Sequence, residues 1–206
     1  MTDIRETYSS RFDTLKAVAA KIRADLEISL AELDHIDRIF VRPKSIESFL
    51  TKAAKAENSI PKYQDPINEI QDQVGARIIT FYLDDVEKIT NRLLAYYKRI
   101  EEKDIVPESE KEFGYFGKHF ILLLPKDLKP EGAAEELLPS VFELQIKTLF
   151  QHAFSEGSHD LAYKPVSPLS KEQQRKVAFI AAQAWGGDTI FQDLHNELFP
   201  TLQAQP

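Results

Sequence analysis

The sequence predicts a fold in which helices alternate with strands, of the α/β or α+β class. Two observations support this prediction. Apolar residues recur at helical spacing in the first 34 residues and again near the C-terminus. Between these regions, the segments 74–83, 118–124 and 141–147 are short runs rich in β-branched and aromatic residues, which are typical of buried strands.

The N-terminal third is predicted to contain two helices and two strands. Residues 10–34 form an amphipathic helix, 36–41 a short strand, and Ser45–Glu57 a second helix. A turn at 63–66 leads to the buried strand 74–83. The first helix directs one apolar face inward, formed by Phe12, Leu15, Val18, Ala19, Ile22, Leu26 and Leu30.

The remaining elements follow the same alternation. They are predicted in the order helix 85–98 with Asp84 as its cap, charged loop 100–114, strands 118–124 and 141–147, and helices 148–163 and 171–199, the last interrupted at Gly186-Gly187. We expect one catalytic-type domain at 35–165, with helical additions at 1–34 and 166–206.

Composition excludes several classes of function. The 206 residues include no cysteine, so disulfides, thiolate metal sites and a cysteine nucleophile are excluded. No apolar run approaches the roughly 18 residues of a transmembrane helix, and the N-terminus lacks an apolar signal core. We therefore expect a cytoplasmic protein with no membrane partner. The net charge of −7 argues against nucleic-acid binding by the whole surface and permits a local basic pocket.

The strand 141–147 carries polar residues on one face. Glu143, Gln145 and Lys147 alternate with apolar residues, a pattern that by itself is more typical of a solvated strand. The following helix adds a stripe of His152, Glu156, His159 and Tyr163 at helical spacing. Glu156-x-x-His159 and Glu32-x-x-His35 also match di-metal spacing, but the strands oppose the four-helix bundle that such a centre needs.

Other segments indicate nucleotide chemistry. Asp72, before strand 74–83, and Glu143 are carboxylates that can share Mg²⁺. Tyr115, beside a glycine, is a residue type that stacks on bases. Together with a cationic cluster suited to phosphate, these residues indicate a Mg²⁺-dependent phosphoryl- or nucleotidyl-type transferase with two nucleotide pockets. The cluster consists of Arg42, Lys44, Ser48, Lys52 and Lys55.

Five ordered motifs over about residues 38–165 resemble the RelA/SpoT-type alarmone synthetase domain. They are Arg42-x-Lys44-Ser45 with Ser48 and Lys52, Ile70-Gln-Asp72-Gln-Val-Gly75-Ala-Arg77, Phe113-Gly114-Tyr115-x-x-x-His119, Phe142-Glu143-Leu-Gln145-Ile-Lys147-Thr148, and Gln151-His152-Ala-Phe154-Ser-Glu156-x-x-His159 continuing to Tyr163-Lys164. The length is similar to that of a small, stand-alone synthetase. The resemblance implies an α+β, nucleotidyltransferase-like fold with a mixed sheet.

The resemblance also implies a reaction and a role for each matching residue. The reaction is transfer of the ATP β,γ-pyrophosphate to the 3′-hydroxyl of GDP or GTP, giving (p)ppGpp. Asp72 and Glu143 match the catalytic and Mg²⁺-binding carboxylates. The residues that match the ATP site are Arg42, Lys44, Ser48, Lys52, Lys55 and Arg77. Those that match the acceptor site are Lys111, Tyr115, His119, Gln145, Lys147 and His152.

The departures from the family pattern lie mainly near the acceptor. Lys147 replaces the usual arginine, Phe154 a common tryptophan, and Ser158 a common glutamate, while Gly117 lies in an unusual segment before His119. Two alternatives therefore remain. One is a toxic relative that pyrophosphorylates adenine nucleotides or tRNA 3′ ends, and the other is a non-catalytic nucleotide-binding module. Terminal helices can mediate assembly, so a homo-oligomer and an antitoxin are partner candidates.

Overall fold

The computed structural model describes residues 3–103, 114–115, 117–163 and 168–200. Within these ranges it contains a mixed five-stranded sheet, a hairpin whose two strands have two residues each, and six α-helices. In chain order the elements are α1 (Ile4–Ser29), β1 (Ile36–Pro43), α2 (Ile46–Ala53), β2 (Ala56–Glu57), β3 (Ile60–Pro61), α3 (Pro66–Glu69), β4 (Val74–Thr80), α4 (Leu83–Leu94), β5 (Arg99–Lys103), β6 (Lys118–Leu123), β7 (Val141–Thr148), α5 (Leu149–Tyr163) and α6 (Lys171–Leu198).

The sheet has the strand order β1-β4-β7-β6-β5. Strands β4 and β7 are parallel, whereas the other neighbours are antiparallel. This arrangement confirms the predicted α+β class with a mixed sheet. Strand β5 was not predicted, because its charged sequence, Arg99 to Lys103, is typical of a loop. It forms an edge of the sheet, where charged side chains remain in water and discourage pairing with another chain.

One face of the sheet forms the main hydrophobic core. Alternate residues of the central strands, such as Ile78 on β4 and Leu144 on β7, pack there against helices α1 and α4. The predicted apolar face of α1 is buried, with Leu15, Ile22 and Leu26 inaccessible to solvent. Helix α1 starts earlier than predicted because the Asp3 side chain accepts a hydrogen bond from the amide of Arg5.

Helices α5 and α6 pack against each other around a second, smaller core of Tyr115, Phe154, Ala181 and Ala184. Helix α6 runs without a break through Gly186-Gly187, so the predicted interruption is wrong. A Cβ at Gly187 would lie 2.7 Å from the ring of Phe150. The glycine is therefore a point of close helix contact.

The predicted cap of α4 is also wrong. The helix begins at Leu83, after Tyr82, and Asp84 lies within its first turn. The amide of Asp84 donates to Gln192 Oε1 of α6, and Gln192 Nε2 donates back to the Asp84 carboxylate, both at 2.9 Å. The C-terminal helix thus satisfies an amide at the start of α4 that the sequence pattern assigned to a local cap.

The di-metal alternative is wrong. Glu32 and His35 lie beyond the end of α1, and the chain forms a sheet and not the four-helix bundle that such a centre needs.

Within the part of the chain that the structure describes, no helix is both long and apolar enough to span a membrane.

Candidate active site

An open pocket of about 560 Å³ lies on the sheet face opposite α1 and α4. It is formed by β1, β4, β7, the start of α2 and one face of α5. Eight of the predicted site residues line it: Arg42, Lys44, Ser48, Asp72, Arg77, Glu143, Gln145 and His152. The other lining residues are Phe40, Pro43, Ser45, Gly75, Ala76, Glu156 and His159.

The strand register sets these side chains in rows across the sheet. Arg42, Gly75 and Glu143 occupy one row, because Arg42 pairs with Gly75 and Gly75 with Glu143. Phe40, Arg77 and Gln145 occupy the next row on the same face, and His119 of β6 continues it. The alternating polar residues thus lie together on one face of the sheet, which carries both positive and negative side chains.

One end of the pocket holds a carboxylate between two ammonium groups. Asp72 Oδ2 lies 3.0 Å from Lys44 Nζ and 2.9 Å from Lys52 Nζ. Burial raises the pKa of Asp72, but the hydrogen bonds and charges of Lys52 and Lys44 outweigh burial, so its pKa lies below the ordinary value. Asp72 is therefore ionised at neutral pH.

Local backbone contacts bring these groups together. The Lys44 amide donates to the carbonyl of Gln73 at 2.8 Å, which joins the end of β1 to the segment before β4. Ser45 caps α2 by accepting from the Ser48 amide, and its hydroxyl donates to the Ser48 hydroxyl at 2.8 Å. The start of α2 therefore faces the pocket, and Lys52 reaches Asp72 from the same helix.

At the other end of the pocket, three side chains hold the guanidinium of Arg77. Its Nε donates to Gln145 Oε1 at 3.1 Å, and one terminal nitrogen donates to Glu156 Oε1 at 2.6 Å and lies 3.4 Å from His152 Nδ1. Burial and the charge of Arg77 lower the pKa of His152, so the imidazole is neutral at pH 7. Burial opposes ionisation of Glu156, but Arg77 lowers its pKa overall.

Glu143 lies between these two ends. Its Oε2 accepts a hydrogen bond from Gln145 Nε2 at 2.9 Å, and its Oε1 lies 3.8 Å from His119 Nδ1. Gln145 therefore connects Glu143 to Arg77. The carboxylate faces the open pocket at a point where a reacting hydroxyl can approach it.

The pocket residues fit a hard divalent cation. Asp72 Oδ1 is buried and has no hydrogen-bond partner among the described residues. Asp72 and Glu143 line the same pocket, and carboxylate oxygens are the ligands that Mg²⁺ prefers. These two residues are the ones that would hold it.

Tyr115 lies outside this pocket. The predicted stacking on a base needs an exposed tyrosine ring, whereas the structure buries this ring in the second core. Its hydroxyl donates to Asp188 Oδ2 of α6 at 2.5 Å, and Thr148 Oγ1 donates to the same oxygen at 2.5 Å. Burial raises the pKa of Asp188, although both hydrogen bonds oppose the shift. The acceptor role of Tyr115 stays a prediction.

Lys147 and Lys55 are two further predicted residues that do not line the pocket. Lys147 is on the pocket face of β7 but is buried, and its Nζ donates to Ser155 Oγ at 3.0 Å. A Cβ at Gly117 would lie 2.5 Å from the Lys147 side chain, so the backbone at Gly117 covers it closely. Lys55 is exposed beside the β2–β3 hairpin. Lys111 lies outside the described residues.

Of the seven lining residues outside the predicted set, three carry a large or ionisable side chain. Phe40 was not selected, although alternation along β1 places it on the same face as Arg42. Glu156 and His159 belonged to the predicted helical stripe but were not assigned to the site. Their spacing from His152 was the signal that could have included them.

Comparison with known families identifies the chain. The model for the "Region found in RelA / SpoT proteins" matches residues 41–167. Because this match covers more than half of the sequence, the chain belongs to the RelA/SpoT family. The prediction from the five motifs is confirmed at this level.

Solved structures show the same fold. The GTP pyrophosphokinase family protein from Streptococcus pneumoniae has a TM-score of 0.75 and 21% identity, over 93% of this chain and 94% of that one. Small alarmone synthetase 1 from Bacillus subtilis has a TM-score of 0.70 and 23% identity, over 89% and 93%. Its complex with the product pppGpp has a TM-score of 0.69 and 24% identity, over 93% and 94%. No curated protein sequence matches the chain.

Proposed function

We propose that this protein transfers the β,γ-pyrophosphate of ATP to the 3′-hydroxyl of GDP or GTP and so makes (p)ppGpp. The observation that carries the proposal is the pocket itself. It joins two carboxylates, Asp72 and Glu143, to a cationic end at Lys44 and Lys52 in a chain of the RelA/SpoT family.

The cationic end suits the triphosphate of the donor. Lys44 and Lys52 approach Asp72 from two elements, and Ser48 adds a hydroxyl at the start of α2. Ammonium groups neutralise phosphate charge, and phosphoryl-type transfer depends mainly on such neutralisation and on positioning. When bound, Mg²⁺ at Asp72 and Glu143 would add further charge neutralisation on the phosphate oxygens.

Arg42 and Arg77 suit the adenine base. Their guanidinium groups stand in adjacent rows of the sheet, on opposite strands. Planar guanidinium groups stack on aromatic rings, and Arg77 is held in place by Gln145 and Glu156. A base between these two residues would leave its triphosphate directed along the pocket towards Lys44.

Glu143 suits the reacting hydroxyl. In the transfer, the acceptor 3′-oxygen forms a bond to the β-phosphorus, the bond from that phosphorus to the α-phosphate oxygen breaks, and AMP leaves. The hydroxyl proton goes to Glu143 or through it to water. Gln145 donates to the carboxylate and so fixes its orientation.

Two observations support a guanine nucleotide as acceptor. The Bacillus subtilis synthetase with this fold has been crystallised with pppGpp and with AMPCPP. His152, whose imidazole is neutral, lines the same pocket as Glu143 and offers a hydrogen bond of the kind that base recognition requires. The net charge of −7 gives no support for a tRNA acceptor.

The test is a transfer assay with γ-³²P-labelled ATP and Mg²⁺. GDP, GTP, ADP, ATP and deacylated tRNA are offered in parallel, and labelled products are separated. We expect label on GDP or GTP. Label only on an adenine nucleotide or on tRNA would replace the proposal with the toxin-type alternative. Binding of ATP without any transfer would favour a non-catalytic module.

Variants of the two carboxylates complete this test. Asp72→Asn and Glu143→Gln keep the side-chain volume and remove the charge, so we expect each to lower transfer by at least about a hundred-fold while the fold is kept. Circular dichroism and the melting temperature check the fold. Wild-type turnover in either variant would contradict the assigned mechanism.

A further inference from the structure

Phe40 is an apolar ring in a polar pocket. It is 48% exposed, and it is the largest apolar side chain among the described residues that line the pocket. It stands on the floor of the sheet, beside Arg77 in the register and two residues from Arg42 on the same strand face. Among the described large apolar residues that are exposed, it is the one that lines the pocket, so its ring is available to a ligand bound there.

The register shapes an open space next to the ring. Phe40 pairs with Arg77, and Arg42 pairs with Gly75, so these four residues are neighbours on one face of strands β1 and β4. A Cβ added at Gly75 would meet no atom within 4 Å, so the space above Gly75 is open. Diagonal neighbours such as Arg42 and Arg77 stand about 7–8 Å apart, which is the spacing that a flat base between two planar groups needs.

Two arginines flank the Phe40 ring. Arg77 is held by Gln145 and Glu156, so its guanidinium is restrained from folding over Phe40. The guanidinium carbon of Arg38 lies over the ring, 6.0 Å from its centre, which is the outer limit of a cation–π contact. Phe40 nevertheless stays 48% exposed, so part of its ring surface is open to a ligand.

We propose that Phe40 is a base-binding residue of the donor site and forms the apolar wall against which the adenine of ATP packs. The inference rests on the proposed function, because that function assigns Arg42 and Arg77 to the adenine. It adds a contact that the charged motifs do not supply. The arginines provide stacking by cations, whereas Phe40 removes apolar base surface from water.

The test compares a ligand that has a base with one that lacks it. Titration calorimetry measures the affinity for α,β-methylene ATP, which the transfer reaction cannot cleave, and for inorganic tripolyphosphate. Phe40→Ala should weaken binding of the ATP analogue by roughly ten-fold or more, since a base–aromatic stack contributes that much. Tripolyphosphate affinity should stay within two-fold of wild type, and Phe40→Tyr should restore binding of the analogue.

Phe81→Ala is the matched control. Phe81 is a phenylalanine that is 39% exposed and does not line the pocket, so its removal should leave both affinities unchanged. An equal loss of both ligands in Phe40→Ala would indicate general distortion and overturn the inference. Unchanged affinity for the analogue would overturn it as well.

The same measurements separate this inference from the proposed function. If the wild type transfers label to GDP or GTP while Phe40→Ala binds the analogue normally, the inference fails and the function stands. If Phe40→Ala loses the analogue selectively but no acceptor is labelled, the donor contact stands and the reaction fails. If the wild type binds no ATP analogue, both are wrong.

Discussion

Lys147 is a buried lysine on the pocket face of β7. It is 3% exposed and donates a hydrogen bond to Ser155. Burial, and then the positive charge of Arg77, lower the pKa of its ammonium group to about 8. The ammonium group is therefore still mostly protonated at pH 7 but loses its proton just above that pH, unlike the arginine that the family pattern usually has there.

The lowered pKa of Lys147 predicts how stability depends on pH. Between pH 8 and the ordinary lysine pKa of 10.5, the unfolded chain holds the proton and the folded chain releases it. Stability contributed by this group therefore rises with pH in that window, by on the order of 3 kcal/mol. Lys147→Met should remove this rise and be more stable than the wild type at pH 7.

Denaturant unfolding at pH 7, 8, 9 and 10 measures this difference. Lys16→Met is the control, because the Lys16 side chain is more than half exposed. Its stability should follow that of the wild type at every pH. Parallel pH profiles for wild type and Lys147→Met would show that the buried amine does not govern the change.

At the residue scale, the motifs selected residues that the fold brings to one pocket, while their assigned roles stay predictions. Asp72, Glu143 and the cations around them were selected because their types and order in the sequence indicate phosphate chemistry. Phe40 was missed because a phenylalanine in a strand is usually a core residue. The burial of Tyr115 could not be predicted from its local sequence. Its hydroxyl bonds to Asp188, which is 73 residues away in the sequence.

At the scale of elements, two adjacent glycines of α6 differ in how they affect the packing of this helix against α5. Gly186 and Gly187 are adjacent in sequence but differ in their surroundings. A Cβ at Gly186 would meet nothing within 4 Å, whereas a Cβ at Gly187 would overlap the Phe150 ring. Gly186 therefore lowers the stability of the helix without improving its packing, whereas Gly187 permits the close contact with Phe150.

This difference predicts opposite effects of the same substitution. Gly186→Ala should stabilise the protein by up to about 1 kcal/mol, because alanine favours the helix. Gly187→Ala should be less stable than Gly186→Ala by about 1–3 kcal/mol, because the added methyl forces the Phe150 ring or the helix to move. Urea unfolding of both variants measures the difference. Equal stability of the two variants would contradict the packing argument.

Element prediction was accurate for strands with clear apolar patterns and poor for strands defined by pairing. Strand β4 was found because its core face is buried throughout and its last three residues are buried on both faces. Strand β5 and the β2–β3 hairpin were missed because their exposed residues carry no apolar alternation, and only partner strands define them. The break predicted in α6 failed for a related reason, since tertiary packing overrides the low helix propensity of glycine.

At the scale of the whole molecule, an acidic protein concentrates positive charge at one place. The net charge is −7, yet Arg42, Lys44, Lys52 and Arg77 gather at the pocket face. These cations can pair with the phosphates of a nucleotide, although the carboxylates of Asp72, Glu143 and Glu156 line the same pocket, while the acidic remainder of the surface repels extended nucleic acids. The family motifs could predict this pocket, whereas the predicted division into segments 1–34, 35–165 and 166–206 stays a prediction.

The outer surface of α6 carries an apolar stripe. Ile180, Phe191, Leu194 and Leu198 are each about half or more exposed and fall on one side of the helix at helical spacing. The buried face of α6, which includes Ala181 and Asp188, already packs against the rest of the protein. The Phe191 ring also lies 5.7 Å from the Phe150 ring of α5, measured between ring centres, so the stripe borders the α5 contact and keeps its remaining apolar surface in water.

We expect this stripe to join copies of the chain, as the terminal helices led us to predict. Phe191→Asp places a charge in the middle of the stripe and should shift the protein towards monomer in sedimentation velocity, because burying an unpaired carboxylate costs several kcal/mol. Asn196→Asp is the control. It adds the same charge at an exposed polar position of α6 and should leave the assembly intact. A wild-type protein that is monomeric at all concentrations, or a Phe191→Asp variant that assembles normally, would contradict the prediction. Because Phe191→Asp also removes the ring contact with Phe150, the melting temperature of the monomeric variant, extrapolated to low protein concentration, should lie slightly below that of dissociated wild type.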